Sequence, residues 1–295
     1  MSNEIIADPK IEGLHTARDI WRSVEDLYSG NTSQPYDVGF TPLDELYKVS
    51  RGTFHVWTGV PNHGKSSFLM DITMNMAKIH GWKFALFSPE HSLANNIKRL
   101  CEKYMGKPFD VGMANRITEE ELILSMAFIQ KHYFFIDKAD ESPDIKWILD
   151  VARKAKEHYE IDGLVLDPYN EINPSRSNQL REDEHISNVI SEIKRFNRET
   201  NCASWCVAHP TKLPRNQDGT FTVDGYSISG SAHWNNKADV IVVIERDFEN
   251  EQTIFHVRKV READLYGAIG QAFFKWNHRT RCFHALDSNI WRKHD

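Results

Sequence analysis

The chain has 295 residues, 40% of them hydrophobic and 26% charged, and its formal net charge is −6 at pH 7. This composition is ordinary for a globular protein, so it excludes a low-complexity or intrinsically disordered chain. It also excludes a strongly basic or acidic field over the whole protein, so any nucleic acid must be bound by a local basic surface.

The first 35 residues are predicted to be a segment separate from the main domain. Apolar residues recur at roughly helical spacing between Ile11 and Leu27, and the run 29–35 is rich in turn-forming residues. We therefore expect an amphipathic helix and a linker over 1–35 and a single domain over 36–295. The spacing leaves open whether the helix packs on its own domain or on a neighbouring subunit.

No targeting or membrane signal is recognisable in the sequence. The N-terminus lacks the basic stretch and long apolar stretch of a secretory signal, and no apolar run reaches the roughly 18 residues of a membrane span. We expect no membrane partner. The expected location is the cytoplasm, or an organelle matrix after removal of a transit peptide.

From residue 36 onward, apolar strands alternate with amphipathic helices. The predicted strands of this alternating region are 53–58, 83–88, 133–136, 163–167, 203–208 and 240–245. The predicted helices are 66–80, 93–104, 143–159 and 181–200. The last third contains three segments that we predict to be antiparallel strands, 253–260, 271–276 and 281–285. This alternation predicts an α/β fold with a mostly parallel central sheet, helices on both faces and antiparallel strands at the C-terminal end.

A glycine-rich loop follows the first strand of the alternating region. Residues 59–66 read Gly-Val-Pro-Asn-His-Gly-Lys-Ser and match the pattern G-x-x-x-x-G-K-S. In such a loop, backbone N–H groups surround phosphate oxygens, the lysine neutralises the β- and γ-phosphates, and the serine hydroxyl holds Mg²⁺. A buried strand before the loop and a helix after it favour this interpretation over a chance match. The residues predicted to bind the nucleotide here are Gly59, Pro61, Asn62, His63, Gly64, Lys65, Ser66 and Ser67.

Two other predicted strands end in an acidic residue. Asp167 ends the run Leu-Val-Leu-Asp, and Glu90 lies just past the strand that begins at Phe84. Because ligands of open α/β sheets bind at the carboxyl ends of the strands, we predict that Asp167 supports Mg²⁺ together with Ser66. Glu90 is predicted to orient the attacking water from an adjacent strand, with His91 a weaker candidate. A capping aspartate and a surface glutamate are the alternative interpretations.

These motifs, and the order in which they follow one another along the chain, resemble those of RecA-like ring helicases, a family of P-loop NTPases. Residues 38–46 and 52–66 carry the resemblance, which extends over about 10–285. The DnaB group is one branch of this family, and the Twinkle-type and phage primase-helicase branch is the more similar one. Glu90 resembles the family's catalytic glutamate, and Asp167 resembles its Mg²⁺-supporting aspartate.

The resemblance also assigns roles to five residues later in the chain. His209 resembles the polar sensor of the γ-phosphate. Lys259 and Arg261 resemble a Lys-x-Arg pair, which the resemblance implies reaches the γ-phosphate bound by the next subunit. Arg246 and Trp276 resemble a pair that clamps the nucleobase between a guanidinium and an indole. Without the family, Lys259 and Arg261 would more often be read as a solvated basic face, and ordinary core packing would be an equally natural interpretation of Trp276.

Two long polar loops, 173–181 and 210–219, follow strands of the predicted sheet. The resemblance implies that loops in these places face a central pore and hold one strand of DNA. Such contacts follow the backbone of the strand, so they should tolerate any sequence and weaken with salt. Solvated loop cations are the alternative. The residues predicted to contact DNA are Arg176, Arg181, Lys212 and Arg215.

The resemblance implies a replicative DNA helicase that hydrolyses ATP, or another NTP or dNTP, with Mg²⁺. It further implies a homo-oligomeric ring, expected to be a hexamer, that moves 5′→3′ on single-stranded DNA in a bacterial cell, a phage-infected cell or an organelle. A RecA-like recombinase or clock-type ATPase that does not unwind DNA is the alternative, and an inactive binding module is a third class. We expect no primase activity from this chain. The sequence leaves open whether a primase or a DNA polymerase docks on it.

Overall fold

The computed structural model describes residues 11–31, 34–138, 143–173, 181–210, 225–228 and 232–292, without the side chains of Asp264 and of 287–292. The chain divides into two units, Met1–Gln34 and Pro35–Asp295. In the first unit, α1 (Trp21–Tyr28) is shorter than the helix predicted from the apolar spacing between Ile11 and Leu27, because residues 11–20 form turns and no regular helix. Among the described residues, no helix has the length and apolar character needed to span a bilayer.

The second unit contains the remaining helices and all of the strands of the described chain. The strands are β1 (Tyr36–Asp37), β2 (Lys48–Val49), β3 (Phe54–Thr58), β4 (Phe84–Phe87), β5 (Tyr133–Phe135), β6 (Gly163–Leu166), β7 (Ala203–Val207), β8 (Val240–Asp247), β9 (Gln252–Val260), β10 (Gly270–Asn277) and β11 (Cys282–Arg292). The helices are α2 (Thr41–Asp44), α3 (Lys65–His80), α4 (Leu93–Met105), α5 (Glu119–His132), α6 (Ile145–Tyr159), α7 (Glu182–Thr200), α8 (His233–Lys237) and α9 (Ala263–Tyr266). A 3-10 turn at Tyr169–Glu171 follows β6.

Nine of the described strands form one sheet in the order β11-β10-β9-β8-β3-β7-β6-β4-β5. The strands from β8 to β5 in this order run parallel, whereas β9, β10 and β11 are antiparallel to their neighbours. The predicted α/β fold, with a mostly parallel sheet and antiparallel C-terminal strands, is confirmed. The expectation that the strand before Glu90 lies next to β3 is wrong. The chain crosses from β3 to β4 and later returns, which places β6 and β7 between them.

Both faces of the central strands are covered by apolar side chains. All five residues of β3 are buried, and alternate residues face opposite sides of the sheet. Trp57 packs in one apolar cluster with Phe68 of α3, and Val56 packs in a second cluster with Ile190 of α7. Parallel strands are usually sandwiched between helices in this way, which explains their nearly continuous apolar sequences. The sheet is therefore a rigid support for the loops at its edges.

A close approach of two backbone segments fixes the position of α9. Gly267 follows this helix with a φ of +107°, and a Cβ atom there would lie 2.1 Å from the carbonyl oxygen of Leu46. We expect Gly267→Ala to lower the free energy of unfolding by about 3 kcal/mol or more, because backbone strain and a clash with backbone atoms add. Urea unfolding monitored by circular dichroism measures this loss.

The matched control for that prediction is Gly112→Ala. Gly112 has a φ of +86°, but a Cβ atom there would meet nothing within 4 Å. This variant carries only the backbone strain, so its loss should be about 1 kcal/mol. Equal losses in the two variants would contradict the tight approach of Gly267 to Leu46.

Candidate nucleotide site

The glycine-rich loop joins the buried end of β3 to the start of α3. Gly64 has a φ of +91°, a conformation that suits glycine, and α3 begins at the next residue. The Lys65 ammonium lies inside the loop, where it donates to the carbonyl oxygens of Gly59 at 2.8 Å and Val60 at 3.1 Å. Burial lowers the pKa of Lys65 to about 8. The lysine is therefore still mostly protonated at neutral pH, beside the N–H groups at the start of the helix.

Asp167 and Ser66 meet at the edge of the sheet beside this loop. Asp167 directly follows β6, and its Oδ1 accepts a hydrogen bond of 3.1 Å from the Ser66 hydroxyl. Burial raises the pKa of Asp167 to about 6, the Ser66 hydrogen bond lowers it, and the charge of Glu90 raises it. These two oxygen ligands fit Mg²⁺, which prefers hard oxygen donors and completes its shell with water and phosphate oxygens.

Glu90 and His209 approach each other near the same edge. His209 Nε2 lies 3.8 Å from Glu90 Oε1, and the backbone N–H of His209 donates to Asn170 Oδ1 at 3.2 Å. Burial and then the charge of Lys65 lower the pKa of His209, while Glu90 opposes them. This shift favours the neutral imidazole. Although β4 and β7 are not neighbours, both strands end at this edge and bring the two side chains together.

The structure places Lys259 and Arg261 away from these residues. Arg261 Nε lies 3.5 Å from Asp239 Oδ1, and the other oxygen of that carboxylate accepts a hydrogen bond from Phe54 N, at the start of β3. The phosphate loop leaves the opposite end of β3, after Thr58, so the length of this strand, roughly 13 Å, separates them. The two cations therefore lie at the opposite edge of the sheet from Lys65.

Both cations are held by α8. Lys259 Nζ donates to the carbonyl oxygens of Asn235 and, at 2.8 Å, Ala238. Arg261 donates to the carbonyl oxygen of Asn236 at 2.8 Å. Carbonyl groups at the C-terminal end of a helix lack intrahelical partners, so they attract cations. This end of α8 fixes the position of the pair on the protein surface.

A cleft of about 270 Å³ opens beside the phosphate loop. It contains both residues that were predicted to clamp a nucleobase, Arg246 and Trp276. The Arg246 guanidinium lies over the Phe248 ring at 5.1 Å, and its backbone N–H donates to His63 Nδ1 at 3.0 Å. The described residues that line the cleft are Asn62, His63, Gly64, Ser67, Arg99, Glu102, Lys103, Arg246, Thr253, Trp276, His278, Arg281 and Phe283.

Three cations of this cleft were not predicted from the sequence: Arg99, Lys103 and Arg281. Arg99 and Lys103 lie on α4, and Arg281 lies in the turn between β10 and β11. None belongs to a recognisable motif, because the fold brings them together from distant parts of the chain. The start of α4 did have a local sequence signal, because the Ser92 side chain caps the helix by accepting a hydrogen bond from Asn95 N. That signal indicates the helix that carries Arg99 and Lys103, but not that they line the cleft.

The predicted DNA contacts are mostly outside the described residues. Arg176, Lys212 and Arg215 are not described. Arg181 is described and directly precedes α7, where its guanidinium lies 3.3 Å from Asp183 in an exposed ion pair. Such a pair contributes little to stability, so it leaves the arginine available to other anions. All four residues remain predictions.

Most of the sequence matches one known protein family. Residues 36–285 match the family described as the DnaB-like helicase C terminal domain. The chain is 34% identical over 282 residues to the Twinkle homolog protein, chloroplastic/mitochondrial, of Arabidopsis thaliana, covering 92% of this chain and 39% of that protein. It is 23% identical over 265 residues to a probable plasmid replicative DNA helicase of Chlamydia psittaci, covering 86% of this chain and 56% of that protein. The chain thus spans only part of the length of these two relatives.

Two solved structures share the fold. One, an ATPase domain, has a TM-score of 0.76 at 18% identity, covering 93% of this chain and 100% of that one. A DnaB-like replicative helicase, solved in a study of its interactions with primase, has a TM-score of 0.72 at 20% identity, covering 93% of this chain and 67% of that one. The resemblance predicted from the motifs is confirmed, and the chain belongs to the family of the DnaB-like helicase C-terminal domain.

Proposed function

We propose that this protein is an NTP-hydrolysing replicative DNA helicase that assembles as a ring, moves 5′→3′ along single-stranded DNA and unwinds duplex. The observation that carries this proposal is the meeting of Lys65, Ser66, Asp167, Glu90 and His209 at one edge of the sheet. Family membership selects a helicase among the many proteins with such a site. The direction of movement rests on the family resemblance alone.

Each residue of the site has a chemical task in this proposal. Lys65 and the N–H groups at the start of α3 bind the phosphates and stabilise the charge that develops on them. Glu90 accepts a proton from the attacking water and orients it. His209 donates or accepts a hydrogen bond at the γ-phosphate. Bound Mg²⁺, held by Ser66 and Asp167, would neutralise charge on the β- and γ-phosphates.

Lys259 and Arg261 complete the site of a neighbouring subunit in this proposal. Their position at the opposite edge from Lys65 supports a role in trans. An arginine delivers a rigid cationic fork to phosphoryl oxygens, and supplying it from a neighbour makes hydrolysis depend on assembly. A hexameric ring is the proposed assembly.

The remaining assignments concern the ligands and the cell. Arg246 and Trp276 are proposed to hold the base of ATP or another NTP or dNTP, since both line the cleft beside the loop. The loops that carry Arg181 and the three cations outside the described residues are proposed to hold single-stranded DNA. Primase and DNA polymerase are proposed partners. The name of the Arabidopsis relative supports an organelle matrix, and the bacterial relative supports the cytoplasm.

The test measures NTP hydrolysis and strand displacement with the purified chain. We expect single-stranded DNA to stimulate hydrolysis, and a fork with a 5′ tail to be unwound in preference to one with a 3′ tail. Both activities should weaken as salt rises, because the strand is held through its phosphates. Stimulated hydrolysis without unwinding would identify a recombinase-like ATPase instead. Absence of both activities in every oligomeric state would contradict the proposal.

A further inference from the structure

A buried lysine joins the phosphate side of the cleft to its aromatic side. Lys103 Nζ lies 3.0 Å from Ser67 Oγ and 3.0 Å from Asp71 Oδ2, both on α3. The same ammonium lies 4.6 Å from the ring centroid of Trp276. Its side chain is only 3% exposed, so it is a fixed internal contact rather than a mobile surface cation.

The contact with Ser67 determines what that hydroxyl can do. An ammonium group has three donors and no acceptor, so Lys103 must donate to a lone pair of Ser67 Oγ. The proton of the Ser67 hydroxyl therefore stays free to donate to another acceptor. Ser67 lines the cleft next to Ser66, where the acceptor at hand would be a phosphate oxygen.

The Lys103 ammonium lies over one face of the Trp276 indole, and the same ring lines the cleft. Trp276 lies on β10, the first strand of the β10–β11 hairpin. A second contact fixes this hairpin, because Phe283 N of β11 donates a hydrogen bond to Asp71 Oδ2 at 2.9 Å. The rings of Phe283 and Trp276 contact each other with centroids 5.0 Å apart. Lys103 and Asp71 thus connect α3 to the β10–β11 hairpin.

We propose that Lys103, paired with Asp71, is a positioning residue that fixes the distance between the Ser67 hydroxyl and the Trp276 indole. The site thereby recognises the phosphates and the base of a nucleoside triphosphate as one rigid ligand. This inference rests on the proposed nucleotide site and assigns its specificity to a buried ion pair outside the recognised motifs. Lys103 acts through Ser67 and Trp276 and does not carry out the chemistry.

The test uses the double variant Lys103→Met/Asp71→Asn. Methionine is one atom shorter than lysine but keeps an unbranched apolar side chain. Asparagine still accepts the hydrogen bond from Phe283 N, so no buried charge is left unpaired. The second variant, Lys103→Arg, keeps the charge but replaces a compact ammonium with a planar fork that does not fit the same three contacts. The matched control is Lys98→Met, since Lys98 lies on the same helix, α4, and pairs with Asp110 outside the cleft lining.

Calorimetry with Mg²⁺ compares the affinity for ATP with that for inorganic tripolyphosphate, which has no base. We expect both Lys103 variants to lose about tenfold in affinity for ATP and less for tripolyphosphate, because base stacking is lost only with ATP. Lys98→Met should change neither affinity. A loss for ATP no larger than for tripolyphosphate, or the same selective loss in Lys98→Met, would overturn the inference.

The proposed function fails by a different measurement. Wild-type protein that binds ATP but neither unwinds nor responds to DNA contradicts the helicase assignment and leaves the role of Lys103 intact. Wild-type protein that binds ATP no more tightly than tripolyphosphate contradicts the base site itself and overturns this inference.

Discussion

Glu90→Gln should lower the rate of NTP hydrolysis about 10³-fold and leave nucleotide affinity nearly unchanged. Glutamine has the same shape as glutamate, so the end of β4 and the approach to His209 should persist. It cannot accept a proton from the attacking water, and the catalytic step is lost. Steady-state hydrolysis with single-stranded DNA measures the rate, and titration with a fluorescent nucleotide measures the affinity.

The control for this prediction is Glu171→Gln, an exposed carboxylate in the 3-10 turn after β6. Its charge reaches His209 from a distance, so we expect hydrolysis close to that of the wild type. Lys65→Ala provides the opposite pattern, because removing the loop cation should weaken binding itself. Turnover retained in Glu90→Gln would remove Glu90 from the proposed role.

Arg261→Ala should lower hydrolysis by about 10³-fold or more while each subunit still binds its own nucleotide, since a trans-acting arginine contributes that much where it has been measured. The variant keeps the phosphate loop, which lies at the other edge of the sheet. Arg258→Ala is the control, because Arg258 is an exposed arginine on β9, three residues before Arg261. We expect this control to hydrolyse NTP at nearly the wild-type rate.

Mixing two inactive variants distinguishes a role in trans from a role in cis. Lys65→Ala subunits lack a working loop but keep Arg261, and Arg261→Ala subunits lack the arginine but keep the loop. In an equal, randomly mixed assembly, about one quarter of the interfaces should combine an intact loop with an intact arginine, because the contact is head-to-tail. Hydrolysis should therefore reappear on mixing. No recovery, although mixed assemblies form by native mass spectrometry, would contradict the trans role.

The sequence predicted the central strands closely because each is a short apolar run bounded by turns. The run 163–167 became β6 (Gly163–Leu166), and 203–208 became β7 (Ala203–Val207). Burial on both faces makes such strands apolar throughout, and this signal is local. Their order in the sheet is not local, so the separation of β4 from β3 by two other strands could not be read from the same pattern.

Helix α5 (Glu119–His132) was not predicted. Apolar residues occur around much of its circumference, so no polar face marks its period. Its start was nevertheless readable, because Thr118 and Glu121 form a capping box in which each side chain accepts from the backbone of the other. The capping residues, rather than the apolar spacing, were the usable signal at this position.

The site shows the same division between local and distant information. Lys65 and Ser66 belong to one short motif, and Asp167 and Glu90 stand at strand ends, so all four could be named from the sequence. Lys103 could not, because its partners are contributed by α3 and by the hairpin near residue 276. A buried lysine in a helix has no sequence pattern that distinguishes it from an exposed one.

The separation of the phosphate loop from Arg261 limits how copies of this chain can assemble into working units. A two-fold dimer joins one surface to the same surface of its copy, and features at opposite edges of one sheet do not share such a surface. Head-to-tail assembly can join them, but an open row of subunits ends with one loop that lacks an arginine and one arginine that lacks a loop. Closing the row joins these ends. Under the proposed role of Arg261, closure completes one further site without adding a subunit. Every phosphate loop of a closed ring then has an arginine from a neighbour and can hydrolyse NTP.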